Sequence, residues 1–73
     1  MKDLIEYIAR GLVDNPEAVS VRETRGNNVT MLELRVDHKD MGRVIGKEGR
    51  VANAMRTLLR VGAGDRRVTL DIE

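Results

Sequence analysis

Gly42-Arg43-Val44-Ile45-Gly46-Lys47-Glu48-Gly49-Arg50 is the stretch whose reading decides the fold. Two glycines, Gly46 and Gly49, bracket two charged residues where one helical pattern stops and another starts. Just upstream, Asp40 is placed as the N-cap of a short helix, Met41 to Ile45. Just downstream, Val51, Ala54, Met55, Leu58 and Leu59 recur on one face of a longer helix, which Gly62 and Gly64 stop. Glycine lacks the Cβ that would keep a bulky backbone away, so a polar group can approach the main chain at this bend. The second helix begins near Arg50. Its free N–H groups and positive dipole end point at the same spot, a ready site for phosphate oxygens. Arg43, Lys47 and Arg50 surround that spot with mobile positive charge. A bare G-x-x-G would equally serve a tight helix-turn-helix that needs glycine only for positive φ. Context favours binding: basic residues flank the pattern and the apolar pair Val44-Ile45 precedes it directly.

Working outward, strands enclose the two helices. Val19 to Arg25 places Val19 and Val21 on one side, and Val29 to Val36 places Leu32, Leu34 and Val36 on one side. Gly26-Asn27-Asn28 between them reads as a hairpin turn. At the other end, Val68, Leu70 and Ile72 alternate with Thr69, Asp71 and Glu73, a half-buried final strand. Ahead of the hairpin, Leu4, Ile5, Ile8, Ala9, Leu12 and Val13 recur at helical spacing. Asp3 with Glu6 resembles a capping box, and Asp14-Asn15-Pro16 ends the helix. The order is therefore αββααβ. The strand-helix-helix-strand unit makes its two strands parallel, and the hairpin adds an antiparallel neighbour. A chain this short cannot cover both sheet faces, so the predicted fold is a two-layer α+β domain, a three-stranded mixed sheet with helices on one face.

Composition narrows the function. The chain has 73 residues, 13 Lys plus Arg against 12 Asp plus Glu, no cysteine and one aromatic, which predicts a single domain spanning residues 1–73. At this size only about 60% of the unfolded chain's surface is buried on folding, so self-association is an expectation. Absence of cysteine excludes disulfides, thiolate metal sites and a thiol nucleophile, and it suits a reducing cytoplasm. Met1 to Val13 is not a signal peptide, and no stretch reaches the roughly 18 apolar residues of a membrane span. The net charge of +1 hides a lopsided distribution: Lys39 to Arg67 holds eight basic and three acidic residues. A basic middle on a small domain points to a polyanion.

On these residues the chain resembles the type II KH domain. The stretch Gly42 to Arg50 is similar to the KH signature around its G-x-x-G loop. Asp40 to Arg50 and Ala54-Met55-Arg56-Thr57-Leu58 look most like the small bacterial single-KH RNA-binding proteins of the KhpA family. The resemblance implies single-stranded RNA held by its backbone, about four nucleotides in a narrow groove. Gly46, Lys47, Glu48 and Gly49 would be the clamp, with Lys47, Arg43 and Arg50 pairing with phosphates. Val44 and Ile45 would supply apolar base contact, or else belong wholly to the core. Val68 to Ile72 would form the groove wall, and Gly64-Asp65-Arg66-Arg67 the variable loop at its edge. Glu48 departs from this logic, since a carboxylate in the loop cancels much of the field from Lys47. Modest affinity, weak specificity and a chaperone-like role in post-transcriptional regulation follow as expectations. The resemblance also implies a homodimer and pairing with a larger KH-containing protein of the Jag-like family; a protein-interaction module with RNA binding secondary is the alternative reading.

Other classes fit poorly, and the expectation is a non-enzyme without cofactor or metal. A P-loop needs G-x-x-x-x-G-K-[ST], whereas only three residues separate Gly42 from Gly46, and Glu48 follows the lysine. His38 has no second His or Cys at ligand spacing, and Asp37 and Asp40 read as turn and cap residues. RRM and OB modules stack bases on aromatic rings, and this chain offers only Tyr7, in its first helix.

Overall fold

The computed structural model describes residues 1–73. Its elements run α1 (Lys2–Leu12), β1 (Ser20–Gly26), β2 (Val29–Arg35), α2 (Met41–Ile45), α3 (Arg50–Ala63) and β3 (Arg67–Ile72). Single 3-10 turns occupy Pro16–Ala18, His38–Asp40 and Lys47–Gly49. The observed architecture is the predicted αββααβ, the type II KH fold. No helix is long and apolar enough to cross a membrane.

Strand β2 is central. It pairs antiparallel with β1, from Ser20↔Arg35 to Gly26↔Val29, and parallel with β3, from Val29↔Arg67 to Leu34↔Ile72. The hairpin closes through Asn27 and Asn28, and Asn28 carries the positive φ of 59°. Gly26 is the last paired residue of β1 instead of part of the turn, because asparagine tolerates the left-handed region well enough to take that role. Alternation then sorts the side chains. Val21, Leu32, Leu34 and Leu70 point inward, and Ile5, Ala9, Val44, Met55 and Leu59 from the helices meet them in one buried cluster. The opposite sheet face carries Arg22, Glu33 and Asp71 in one cross-strand row and Thr24, Met31 and Thr69 in the next.

Three local expectations need correction. Helix α1 starts two residues early, with Met1 at the N-cap and no side-chain cap. Asp3 therefore sits inside the first turn, where it still meets the positive dipole end but cannot close a capping box. Helix α3 runs through Gly62 and stops at Gly64, whose φ of 64° is open to glycine without strain. The buried arc of α3 is also rotated from the one predicted. Ala52, Met55 and Leu59 are buried, whereas Ala54 is exposed and Leu58 is 50% exposed. Apolar identity alone did not fix the phase of this helix; the contact of its first turn with α2, described below, does.

That rotation makes a direct prediction from two adjacent leucines. Leu59→Ala should cost about 2–5 kcal/mol as a large-to-small core change. Leu58→Ala should cost less than about 1 kcal/mol, because its side chain is already half in water. Urea denaturation of the two variants checks the assignment.

Candidate nucleic-acid interface

The bend between α2 and α3 is built in two steps. Gly46 ends α2, its N–H donating to the Gly42 carbonyl at 2.9 Å, and its φ of 78° and ψ of 172° turn the chain sharply. Lys47–Gly49 then form one turn, closed by the Gly49 N–H donating to the Gly46 carbonyl at 3.1 Å. Glu48 (φ 58°, ψ 24°) and Gly49 (φ 78°, ψ 14°) are both left-handed, and α3 begins at Arg50.

The two glycines answer to different constraints. A Cβ on Gly46 would lie 2.6 Å from Val51 Cγ2 and 2.8 Å from the Val51 backbone nitrogen, a collision that nothing rigid can relieve. Gly46 is bare chiefly so that α2 can end directly against the first turn of α3. A Cβ on Gly49 would meet only Asn53 Nδ2, at an ordinary 3.7 Å. Gly49 is needed for its backbone conformation, and the space outside it is open. No side chain of the protein plugs the bend: Lys47 and Glu48 are exposed, and both glycines are partly exposed.

The structure gathers Gly46, Lys47, Glu48, Gly49 and Arg50 at this bend and separates the other predicted residues from it. Val44 is completely buried in the core and offers no surface to a base, so the core reading holds for it. Ile45 remains partly exposed beside the loop. Arg43 is exposed but drawn into an ion pair with Asp14 at 3.1 Å. Both partners face water, so this pair contributes no more than about 1 kcal/mol and can be exchanged for another anion. Arg66 follows α3 in the chain, and Arg67 opens β3. Across the length of α3 they lie roughly 20 Å from the loop, at 1.5 Å of rise per residue.

Between these ends lies a groove whose β3 wall the resemblance implied and whose arginines on α3 went unrecognised in the sequence. A cleft of about 290 Å³ between α3 and β3 is lined by Arg56, Arg60, Val68, Thr69, Leu70 and Asp71. Arg56 crosses it, its Nε and Nη2 donating to the Leu70 carbonyl at 3.3 and 3.0 Å and its Nη1 to Asn53 Oδ1 at 3.3 Å. On β3, the Arg67 N–H donates to the Asn28 carbonyl and the Glu73 N–H to the Leu34 carbonyl. In a parallel ladder this alternation leaves the backbone groups of Val68, Leu70 and Ile72 facing the open edge. A signal for the missed residues was present. Arg50, Asn53, Arg56 and Arg60 recur at helical spacing along α3, which contains no acidic residue.

A second cluster fixes where α2 sits. Asp40 is only 3% exposed, and its side chain does not cap α2 as predicted. Its carboxylate instead accepts from the backbone N–H groups of Asp14 and Asn15, both at 3.2 Å. Those are donors that the end of α1 would otherwise leave unpaired, so the deeper bonds win over the cap. Asp37 completes the clasp, accepting from the Lys39 N–H at 3.0 Å and from Asn15 Nδ2 at 3.2 Å. The Lys39 hydrogen bond first, then the Asn15 amide, hold the Asp37 carboxyl below its ordinary range. Because its folded-state value is depressed, its contribution is present above the unfolded value and is lost as pH falls through the folded one. His38, between the two aspartates, is exposed.

Comparison with known proteins identifies the family. The family model described as KhpA/KhpB, KH domain, matches residues 2–72. The chain belongs to the KhpA/KhpB KH-domain family. It is 52% identical to the RNA-binding protein KhpA of Clostridium perfringens over 63 residues, covering 86% of this chain and 84% of that relative. It is 47% identical to the RNA-binding protein KhpA of Clostridium acetobutylicum over 74 residues, covering 99% of each. It is 44% identical to the RNA-binding protein KhpA of Chlamydia trachomatis over 73 residues, covering 100% of this chain and 94% of the relative. No solved structure matches the chain. The family is one of KH domains and not of enzymes, in line with the sequence reading.

Two sets of variants test how this KH domain holds its loop. Gly49→Ala should cost about 1–2 kcal/mol, the penalty of a left-handed backbone with a Cβ. Gly46→Ala should cost clearly more, since the collision with Val51 adds to a similar penalty. Asp40→Ala should cost about 1–3 kcal/mol by stranding the Asp14 and Asn15 N–H groups. Thermal unfolding gives the ranking, and faster amide exchange at Asp14 and Asn15 would locate the Asp40 effect.

Proposed function

We propose that this KH domain binds single-stranded RNA by its backbone, with the Gly46–Gly49 loop as the clamp and the cleft between α3 and β3 as the path of the strand. The carrying observation is the placement of the loop. An unobstructed bend with exposed Lys47 and Arg50 stands at one end of α3, and Arg56 and Arg60 line the same helix where it faces β3. Relatives that cover nearly the whole chain are named RNA-binding proteins, which supports the reading. Lys47, Arg50 and, once released from Asp14, Arg43 pair with phosphates. Ile45 offers the apolar contact beside them, and Arg66 and Arg67 extend positive charge at the far end. With one aromatic residue in the chain there is little base stacking, so sequence specificity is low. A small cytoplasmic protein of this kind acts as an RNA chaperone-like regulator after transcription.

A second reading rests on the other flank of α3. Leu58 is 50% and Val61 78% exposed. At 100° per residue they project away from Arg56 and Arg60. This flank suits a homodimer or a heterodimer with a larger Jag-like KH protein. Separate flanks favour both activities coexisting.

Replacing Lys47 and Glu48 together by Asp tests the clamp, since aspartate tolerates the left-handed position of Glu48. Titration of a labelled single-stranded RNA should show binding lost with the thermal melt preserved. For the parent chain, three or four phosphate contacts predict a log–log salt slope of about −2 to −3. Unchanged binding by the double variant would remove the loop from the interface. Loss of the dimer without loss of RNA binding in Val61→Asp would separate the two flanks.

A further inference from the structure

Glu48 is poorly accounted for by the packing and hydrogen bonding of the fold. It is one of two non-glycine residues with positive φ, and the other, Asn28, is of a type that adopts this region readily in a hairpin. A glutamate at φ 58° makes no side-chain bond to offset the strain, and its one local gain is the solvent-screened positive end of α3, worth no more than about 1 kcal/mol. Its carboxylate forms no salt bridge, although Lys47 precedes it and Arg50 lies two residues on. It accepts no hydrogen bond and caps no helix. It stands exposed at the tip of the bend, with no other acidic residue until Asp65. Toward a phosphodiester its charge is repulsive.

The chemistry of the nucleic-acid backbone supplies a role. Phosphate oxygens and sugar ether oxygens are all acceptors, and an ionised carboxylate is acceptor-only. A backbone of deoxyribose therefore offers Glu48 nothing but repulsion. Ribose adds one donor, the 2′-hydroxyl, the group by which a protein can tell RNA from DNA at a given position. We propose that Glu48 is the residue that discriminates RNA from DNA, its carboxylate accepting a hydrogen bond from a ribose 2′-hydroxyl of the strand held on the Gly46–Gly49 loop. The repulsion is common to both nucleic acids and the hydrogen bond belongs to RNA alone. The loop thus gives up affinity for polyanions in general and keeps a preference for one kind. This inference rests on the loop being the clamp.

The test uses the full chain, EDTA in all buffers, and three labelled strands of one sequence: RNA, DNA and 2′-O-methyl RNA. The methylated strand keeps the ribose shape but lacks the donor. For the parent chain, RNA should bind more tightly than either of the others, by about three- to tenfold for a charge-assisted hydrogen bond at an exposed site. Glu48→Ala should raise affinity for DNA and 2′-O-methyl RNA and bring both ratios close to one. Glu48→Gln, which keeps a neutral acceptor oxygen, should raise affinity for DNA and 2′-O-methyl RNA and retain a reduced preference for RNA, since a neutral acceptor makes a bond roughly half as strong. Glu48→Gly replaces the alanine variant if that one fails to fold, since glycine removes the strain and the carboxylate together. Lys47→Ala is the control. If it weakens all three strands while the ratios ignore Glu48→Ala, the discrimination by Glu48 is wrong and the clamp stands. If Lys47→Ala leaves every affinity unchanged, the clamp itself is wrong, and this inference falls with it.

Discussion

Everything at the α2–α3 junction follows from the contact between the Gly46 backbone and Val51. Without a Cβ, the residue that caps the short helix reaches the first turn of the long one, and the chain has to reverse within Lys47–Gly49. That tightness forces Glu48 and Gly49 into left-handed conformations and pushes Lys47 and Glu48 outward. It also sets the rotation of α3. Once Val51 is pinned against Gly46, Met55 and Leu59 turn toward the sheet, and Arg56 and Arg60 come to the β3 side. A packing requirement inside the fold thus determines which side chains a ligand meets outside it.

The junction is held to the rest of the domain from the other end of α2. A five-residue helix has almost no stability of its own, because helix nucleation is unfavourable and few bonds repay it. Val44 anchors it by one fully buried side chain, and the Asp40 carboxylate ties its start to the end of α1. Arg43 adds its exposed pair with Asp14 to the same corner. Helix α1 therefore does more than cover the sheet: the residues just past its end, Asp14 and Asn15, supply the backbone donors that fix where the loop stands.

Much of the fold was legible because the period of the apolar pattern switches cleanly between 3.6 and 2 along the chain. Val68, Leu70 and Ile72 alternate, Leu32 and Leu34 alternate, and Ile5 and Ala9 fall one turn apart, so with the Gly, Asn and Pro breakers between them the element order could be read, and the crossover rule gave the layers. Polar roles were less legible. Asp40 has the residue type and position of an N-cap, and only the three-dimensional approach of Asp14 and Asn15 gives its carboxylate better donors. Val44 and Ile45 are indistinguishable by composition, yet one is wholly buried and the other is not. Arg56 reads as one more surface arginine until β3 is laid beside α3 and the Leu70 carbonyl is found within its reach. The G-x-x-G pattern identified the loop, whereas the groove beyond it depends on contacts between elements distant in sequence.

The charges of the interface divide into two kinds of constraint. Arg56 is fixed, with both sides of its guanidinium engaged by Leu70 and Asn53, so it shapes the groove before any ligand arrives. Lys47 and Arg50 form no ion pairs and remain free to follow a phosphate, while Arg43 must first leave Asp14. Free exposed side chains give salt-sensitive attraction without sequence preference, and fixed ones give shape. With so few of each, affinity alone would not separate an RNA strand from other polyanions. On the proposed clamp, the loop tip carries one acidic side chain, and its carboxylate can accept from a ribose 2′-hydroxyl but finds no donor on a deoxyribose backbone.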